Sequence, residues 1–188
     1  MLYSAIAMRG VEIVGADGAV LGSLIDAYAN TGTDVIETLI VDAADGEVRL
    51  LPAVTIQEYD TQARRLKIRL SASDAANADL AGDGIPVRIP IPGEPDDTML
   101  HVVTRVTGFM VHAKDGPVGQ AADFLVDSDG MVVRFLVVDT RDWLPGADKL
   151  TPVNWVESVD WSRRRIYLRI TQAKAKMCQR ASAGSHLL

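Results

Sequence analysis

Residues 10–22 read GVEIVGADGAVLG, and residues 108–119 read GFMVHAKDGPVG. In each, an Asp-Gly pair (Asp17-Gly18, Asp115-Gly116) stands seven residues after the opening glycine. A second glycine follows (Gly22, Gly119), and four residues later comes an aspartate (Asp26, Asp123). Sixteen residues further on, the apolar runs TLIVD and FLVVD end at Asp42 and Asp139. Leu51-Pro52 and Thr151-Pro152 come next, with Asp60 and Asp160 eight residues after each proline. Both stretches close on an alternating segment, Leu66-Lys67-Ile68-Arg69-Leu70 and Ile166-Tyr167-Leu168-Arg169-Ile170. Spacing that matches over about sixty residues, with small differences confined to two loops, marks a tandem duplication.

Each copy reads as a series of short strands. Asp-Gly between apolar runs is a strong hairpin signal, because glycine accepts the positive φ of a tight turn. Val11, Ile13, Val20 and Leu24 flank the first such turn; Met110, His112 and Val118 flank the second. Leu39-Ile40-Val41 and Leu136-Val137-Val138 have no polar alternate, so they are predicted to be central strands covered on both faces. Strands of this length, with turn residues between them, predict an all-β chain in which each copy is a small barrel or sandwich; closure into a barrel also removes exposed strand edges.

Three segments follow from these limits: a first repeat over 1–72, a connector over 73–105, and a second repeat with a C-terminal helix over 106–188. The connector is acidic and holds four prolines between residues 85 and 95. Proline cannot donate to a ladder, so this stretch is expected to be an edge strand or an extended crossing, loosest at 95–97. Ser73-Asp74 could cap one or two helical turns, and Thr171 a short helix from Gln172 to about Arg180.

The 188 residues are 48% hydrophobic and 23% charged, enough apolar matter for a core and unlike a disordered chain. No apolar run is long enough to span a bilayer, and the first residues lack a signal-peptide pattern, so a cytoplasmic location is expected. Residues 1–160 carry 12 basic against 25 acidic side chains, a net −13, whereas the residues after Asp160 hold seven basic and no acidic side chains. The acidic body disfavours nucleic acid; the basic end could meet phosphate or an acidic partner.

Groupings that carry catalysis are not recognisable. His101, His112 and His186 have no paired metal-ligand spacing, and the single cysteine, Cys178, can form neither an internal disulfide nor a thiolate cluster. Asp17, Asp26, Asp42, Asp115, Asp123, Asp127 and Asp139 fall at what read as turns and strand ends, where aspartate bonds local backbone. No catalytic residue, metal ligand or cofactor site is therefore assigned.

The run Asp115-Gly116-Pro117-Val118-Gly119, with Asp123-Phe124, the stretch from Arg134 through Asp139 to Trp143-Leu144-Pro145-Gly146, and the closing Val159-Asp160-Trp161, resembles the PRC-barrel family. That family is named for the cytoplasmic domain of the photosynthetic reaction-centre H subunit and includes the C-terminal domain of the ribosome maturation factor RimM. The resemblance covers about 108–171 most specifically and about 8–71 more weakly. It implies small β-barrels that serve as adaptor or assembly modules without catalysis of their own.

The expected function is thus a non-catalytic adaptor that binds a protein partner or itself; an RNA- or ribosome-associated factor is the alternative. Peripheral association with a membrane stays open. Candidate partner-binding residues are Trp143, Leu144, Trp161, Arg163, Arg164 and Arg165. Indole is enriched at interface hot spots, and a guanidinium of the arginine run could stack on Trp161. Trp143 and Leu144 lie in a loop that the first copy lacks, where Trp143 is either a plug on the barrel or an exposed anchor.

Overall fold

The computed structural model describes residues 1–81, 88–90, 99–141 and 148–181, and both copies fold to the same succession of elements. The chain enters through β1 (Leu2–Ser4) and one helical turn, α1 (Ala5–Met8). The first copy then runs through β2 (Glu12–Val14), β3 (Val20–Asn30), β4 (Ile36–Ala43) and β5 (Val48–Pro52). A 3-10 turn (Ala53–Thr55), β6 (Ile56–Asp60), β7 (Arg65–Ile68) and α2 (Ala72–Ala76) complete it. The connector contributes β8 (Arg88–Pro90), β9 (Met99–Val102) and a 3-10 turn (Val103–Val106). The second copy repeats the order as β10 (Met110–Ala113), β11 (Gly116–Asp127), β12 (Val132–Asp139) and β13 (Lys149–Pro152). A 3-10 turn (Val153–Trp155), β14 (Val156–Asp160), β15 (Arg165–Leu168) and α3 (Gln172–Lys176) end it.

The chain is mostly β, in two sheets. One is ordered β5-β4-β3-β2-β7-β6, the other β13-β12-β11-β10-β15-β14. Neighbours are antiparallel except β2–β7 and β10–β15, which are parallel. The outermost strands of each ladder are joined by only a three-residue turn, Ala53–Thr55 or Val153–Trp155. Three residues reach little more than about 10 Å, so each sheet bends round until its two ends approach.

The central strands are where the uninterrupted apolar runs predict them. Leu39, Ile40, Leu136 and Val137 are fully buried. Leu39 and Val41 pack into one core, while Ile40 lies on the opposite face with Tyr28 and Val102. Leu136 and Val138 face a second core, and Val137 packs behind them with Leu125 and Leu150. In the second hairpin the buried residues are Val111, Ala113 and Val118; Met110 is exposed and His112 half-buried. The second glycine of each copy is required by close approach. Gly22 (φ +149°) and Gly119 (φ +146°) lie so near the carbonyl oxygens of Asp42 and Asp139 that a Cβ would overlap them.

Turns and helices interlock in the same way twice. The hairpin residues Asp17 and Asp115 accept hydrogen bonds from the first helical N–H groups, Ala72 N at 2.9 Å and Gln172 N at 2.6 Å. The N-cap of α2 is Ser71, closing a capping box with Asp74, two residues before the Ser73 expected from sequence. Helix α3 is capped by Thr171 as expected but stops at Lys176, because the chain beyond it pairs along the edge of β13, Leu150 N bonding Gln179 O at 2.9 Å. Arg49 and the buried Lys149 occupy equivalent places and donate to the last helical carbonyls: Arg49 to Ala76 O at 2.7 Å, Lys149 Nζ to Lys176 O at 3.0 Å.

The two copies exchange their leading strands. β1, ahead of the first copy, pairs with β11 of the second through Leu2↔Asp127, Tyr3↔Val126 and Ser4↔Leu125. β9, ahead of the second copy, pairs with β3 of the first through Leu100↔Asn30, His101↔Ala29 and Val102↔Tyr28. These registers are equivalent residue for residue, so the copies are related by an approximate two-fold rotation with reciprocal contacts. β1, within the expected first repeat, thus pairs with the second, and β9, within the expected connector, pairs with the first. Of the proline-rich stretch, Arg88–Pro90 forms β8, whose partner is β9.

Asp26 and Asp123 hold the exchanged arms. They are not turn residues, as local propensity suggested, but lie within β3 and β11 and are buried. Asp123 accepts hydrogen bonds from Ser4 Oγ and, at 3.1 Å, from Ile6 N. Asp26 accepts from Thr104 Oγ1 and, at 3.3 Å, from Thr104 N. Each carboxylate therefore fastens the arm that belongs to the other copy, and each also accepts from the N–H of the residue that follows it. Among the described residues no fully buried side-chain nitrogen or oxygen lacks a partner.

Candidate binding cleft

An approximately two-fold molecule has two equivalent spaces where its copies meet, and here they are unequal. One is a cleft of about 820 Å³; its counterpart holds about 20 Å³. A volume of several hundred Å³ is the size at which proteins hold small molecules or inserted side chains.

Three exchanges between equivalent positions accompany the difference. At the positions equivalent to His101 and Val159, Tyr3 on β1 packs edge-to-face on Tyr59 of β6, ring centroids 4.8 Å apart. At the open cleft, His101 replaces Tyr3 and Val159 replaces Tyr59. His101 turns instead to Trp161, at 4.9 Å. The third exchange is in the turns that enter β4 and β12: Met131, buried, lines the filled space, and Asp34 lines the open one. Both take the left-handed conformation, φ +51° and +57°.

The floor of the cleft is apolar: Val103 and Val106 from the 3-10 turn after β9, Phe124, Val133 and Ile166. One wall is the β3–β4 turn, shaped by Asn30, whose buried amide oxygen accepts from Gly32 N at 2.8 Å and whose Nδ2 donates to Glu37 at 2.8 Å. The other wall is β14, with Glu157, Ser158 and Val159, ending at Trp161. Among carboxylates and guanidinium groups, the lining holds Asp34 and Glu157 against Arg169. Burial pushes the Asp34 carboxyl above its ordinary value, and among the described residues no hydrogen bond or ion pair reaches that carboxylate.

The sequence candidates divide. Trp161 lines the mouth of the cleft and packs on Phe109, centroids 5.5 Å apart. The expected guanidinium stack forms on a different ring: Arg164 lies 5.2 Å over Phe109. Arg163 is exposed and paired with Asp160 at 2.9 Å, an arrangement that, with Ser162, holds the Asp160 carboxyl far below the usual range. Arg165 sits in register with Met110 on the β10–β15 ladder. All four thus gather at the turn between β14 and β15, beside the cleft. Trp143 and Leu144 lie outside the described residues.

Groups considered for chemistry are held structurally. His112 stacks near Tyr167 at 5.8 Å, and burial, then the charge of Arg165, lower its pKa. Cys178 is half-buried, and burial pushes its thiol up despite Thr151, Lys149 and Lys174. Among the described residues no three His, Cys, Asp or Glu side chains gather as a metal site would need, and no helix is long and apolar enough to cross a membrane. Asp34, Val159 and His101 were missed as site residues, although comparison of the two copies position by position marks all three.

No protein-family model and no curated protein matches this chain.

Proposed function

We propose that the chain is a non-catalytic adaptor or assembly module of PRC-barrel type: two small barrels locked by exchanged arms that bind a protein partner at the cleft mouth and the adjoining β14–β15 turn. The barrel reading is supported by the short turns that draw the ends of each ladder together, and by the motif resemblance of the second copy. The observation that carries the binding role is the inequality of the two spaces. Substitutions at equivalent positions fill one and leave the other open, with Trp161 at its edge, as expected of a surface kept for a ligand.

RNA is the less favoured partner. The cleft rim bears Asp34 and Glu157, which repel phosphate, and Arg163 is already neutralised by Asp160. Affinity capture from the native cell, with the full chain and with Ser158→Arg as bait, tests the proposal. Ser158 is exposed on β14 at the cleft, so the arginine obstructs the mouth without disturbing the core. One protein captured by the parent chain and lost with Ser158→Arg is the expected result. Recovery of RNA, released steeply by added salt, would replace this reading with the ribosome-associated one.

A further inference from the structure

We propose that the partner group entering the cleft is a lysine side chain flanked by apolar residues, with Asp34 as its counter-ion; this rests on the protein-binding reading above. The cleft joins an apolar floor to one half-buried carboxylate that has no partner among the described residues. A lysine matches that combination, since its four-methylene stem packs on apolar surface while its ammonium reaches an acid. An anionic or purely apolar group would leave the carboxylate desolvated and unpaired, which is costly. Arg169 does not reverse the preference: it is exposed, so its charge is more fully screened than that of the half-buried Asp34.

The position of Asp34 strengthens the assignment. Its main chain is fixed from both sides, Asp34 N bonding Asn30 O at 2.8 Å and Asp34 O accepting from Val133 N at 2.8 Å. The carboxylate therefore projects from a rigid turn at the junction of the two copies, where the equivalent residue, Met131, fills its own space. His101 and Trp161 pack edge-to-face on the opposite side, and indole is an aromatic partner for a cation.

The test uses the full chain and two acetylated, amidated pentapeptides, Ala-Leu-Lys-Leu-Ala and its counterpart with norleucine in place of lysine. Binding is followed by NMR at the Trp161 indole N–H and at the amides of residues 30–34. The lysine peptide is expected to shift both sets and to bind about ten-fold more tightly than the norleucine peptide, as befits a charge-assisted contact. Asp34→Asn, which suits the left-handed turn, should erase the difference while leaving both peptides bound. Equal affinities in the parent chain, a lysine preference that survives Asp34→Asn, or no shift at millimolar peptide would overturn the proposal. If capture of the native partner is lost with Ser158→Arg but unchanged with Asp34→Asn, the adaptor reading stands and the lysine assignment falls. Capture insensitive to Ser158→Arg removes the adaptor site itself.

Discussion

Val35 and Val132 stand at the same position of the two copies and pair with each other, so the internal two-fold axis passes between them. The flanking bonds are reciprocal: Ile36 N donates to Met131 O at 2.9 Å, and Val133 N donates to Asp34 O at 2.8 Å. The turns that enter β4 and β12 therefore meet at the axis, and the exchanged arms grip the body on either side of it. A molecule tied together in this way has no surface along which the copies can simply part.

The first prediction concerns cleavage of the connector. A site-specific protease cut engineered between residues 91 and 98 should leave two fragments that co-elute on size exclusion in native buffer. β1 stays with one fragment yet pairs with the other, as does β9. Fragments that elute separately and keep their strand signal in circular dichroism would show two independent domains.

Removing a clamp should weaken the whole fold. Asp123→Ala leaves Ile6 N, Phe124 N and the Ser4 hydroxyl without their acceptor, and Asp26→Ala does the same to Thr104 and Ala27 N. Each is expected to cost about 2–4 kcal/mol in urea unfolding, as unsatisfied buried donors do. A single transition is expected in both variants, shifted to lower urea. A biphasic curve would instead assign the clamps a local role.

Gly119→Ala is a sharper test of close approach than of turn geometry. A Cβ there overlaps the Asp139 carbonyl oxygen, so strands β11 and β12 must separate, at a cost of about 3 kcal/mol or more. Gly10→Ala, at φ +74° with open space around it, should cost only about 1 kcal/mol. Thermal melts of the two variants, side by side, give the comparison.

What the sequence makes legible here is what is written locally. The Asp-Gly turns, the doubly covered runs at Leu39–Val41 and Leu136–Val138, and the caps of the short helices follow from neighbours a few residues apart. β1 and β9 leave no such trace: three or four residues carry no period, and the partners of Tyr3 and His101 lie in the other copy. Asp26 and Asp123 were assigned to turns for the same reason, since aspartate's local preference gives no sign of a hydroxyl far along the chain. The cleft is legible in an alignment of the copies, because Tyr3/His101, Tyr59/Val159 and Met131/Asp34 differ in size and polarity.

Asp34 also sets a pH dependence. Burial raises its folded pKa above the ordinary carboxylate value, so as pH rises the unfolded chain releases this proton first. Between the ordinary and the raised value the folded state binds more protons, and stability falls with rising pH; above that window the penalty is complete. Asp34→Asn should therefore raise the melting temperature at pH 7 and leave it unchanged below about pH 4. The gain is at most about 1 kcal/mol, because the side chain is only half-buried and solvent screens it. An unchanged melting temperature across pH 4–7 would show that the carboxylate pays no desolvation cost.

The fusion of two copies into one chain changes what their symmetry permits. A dimer of identical subunits would carry Tyr3 and Tyr59, or His101 and Val159, on both sides, and so would offer either two receptors or none. Placing the copies in tandem lets the two sides differ, one nearly filled and the other open. If the proposed partner binds at the open cleft, recognition is monovalent, and a titration should saturate at a molar ratio of one. Such a protein can cap or connect a neighbour without cross-linking neighbours into an open lattice.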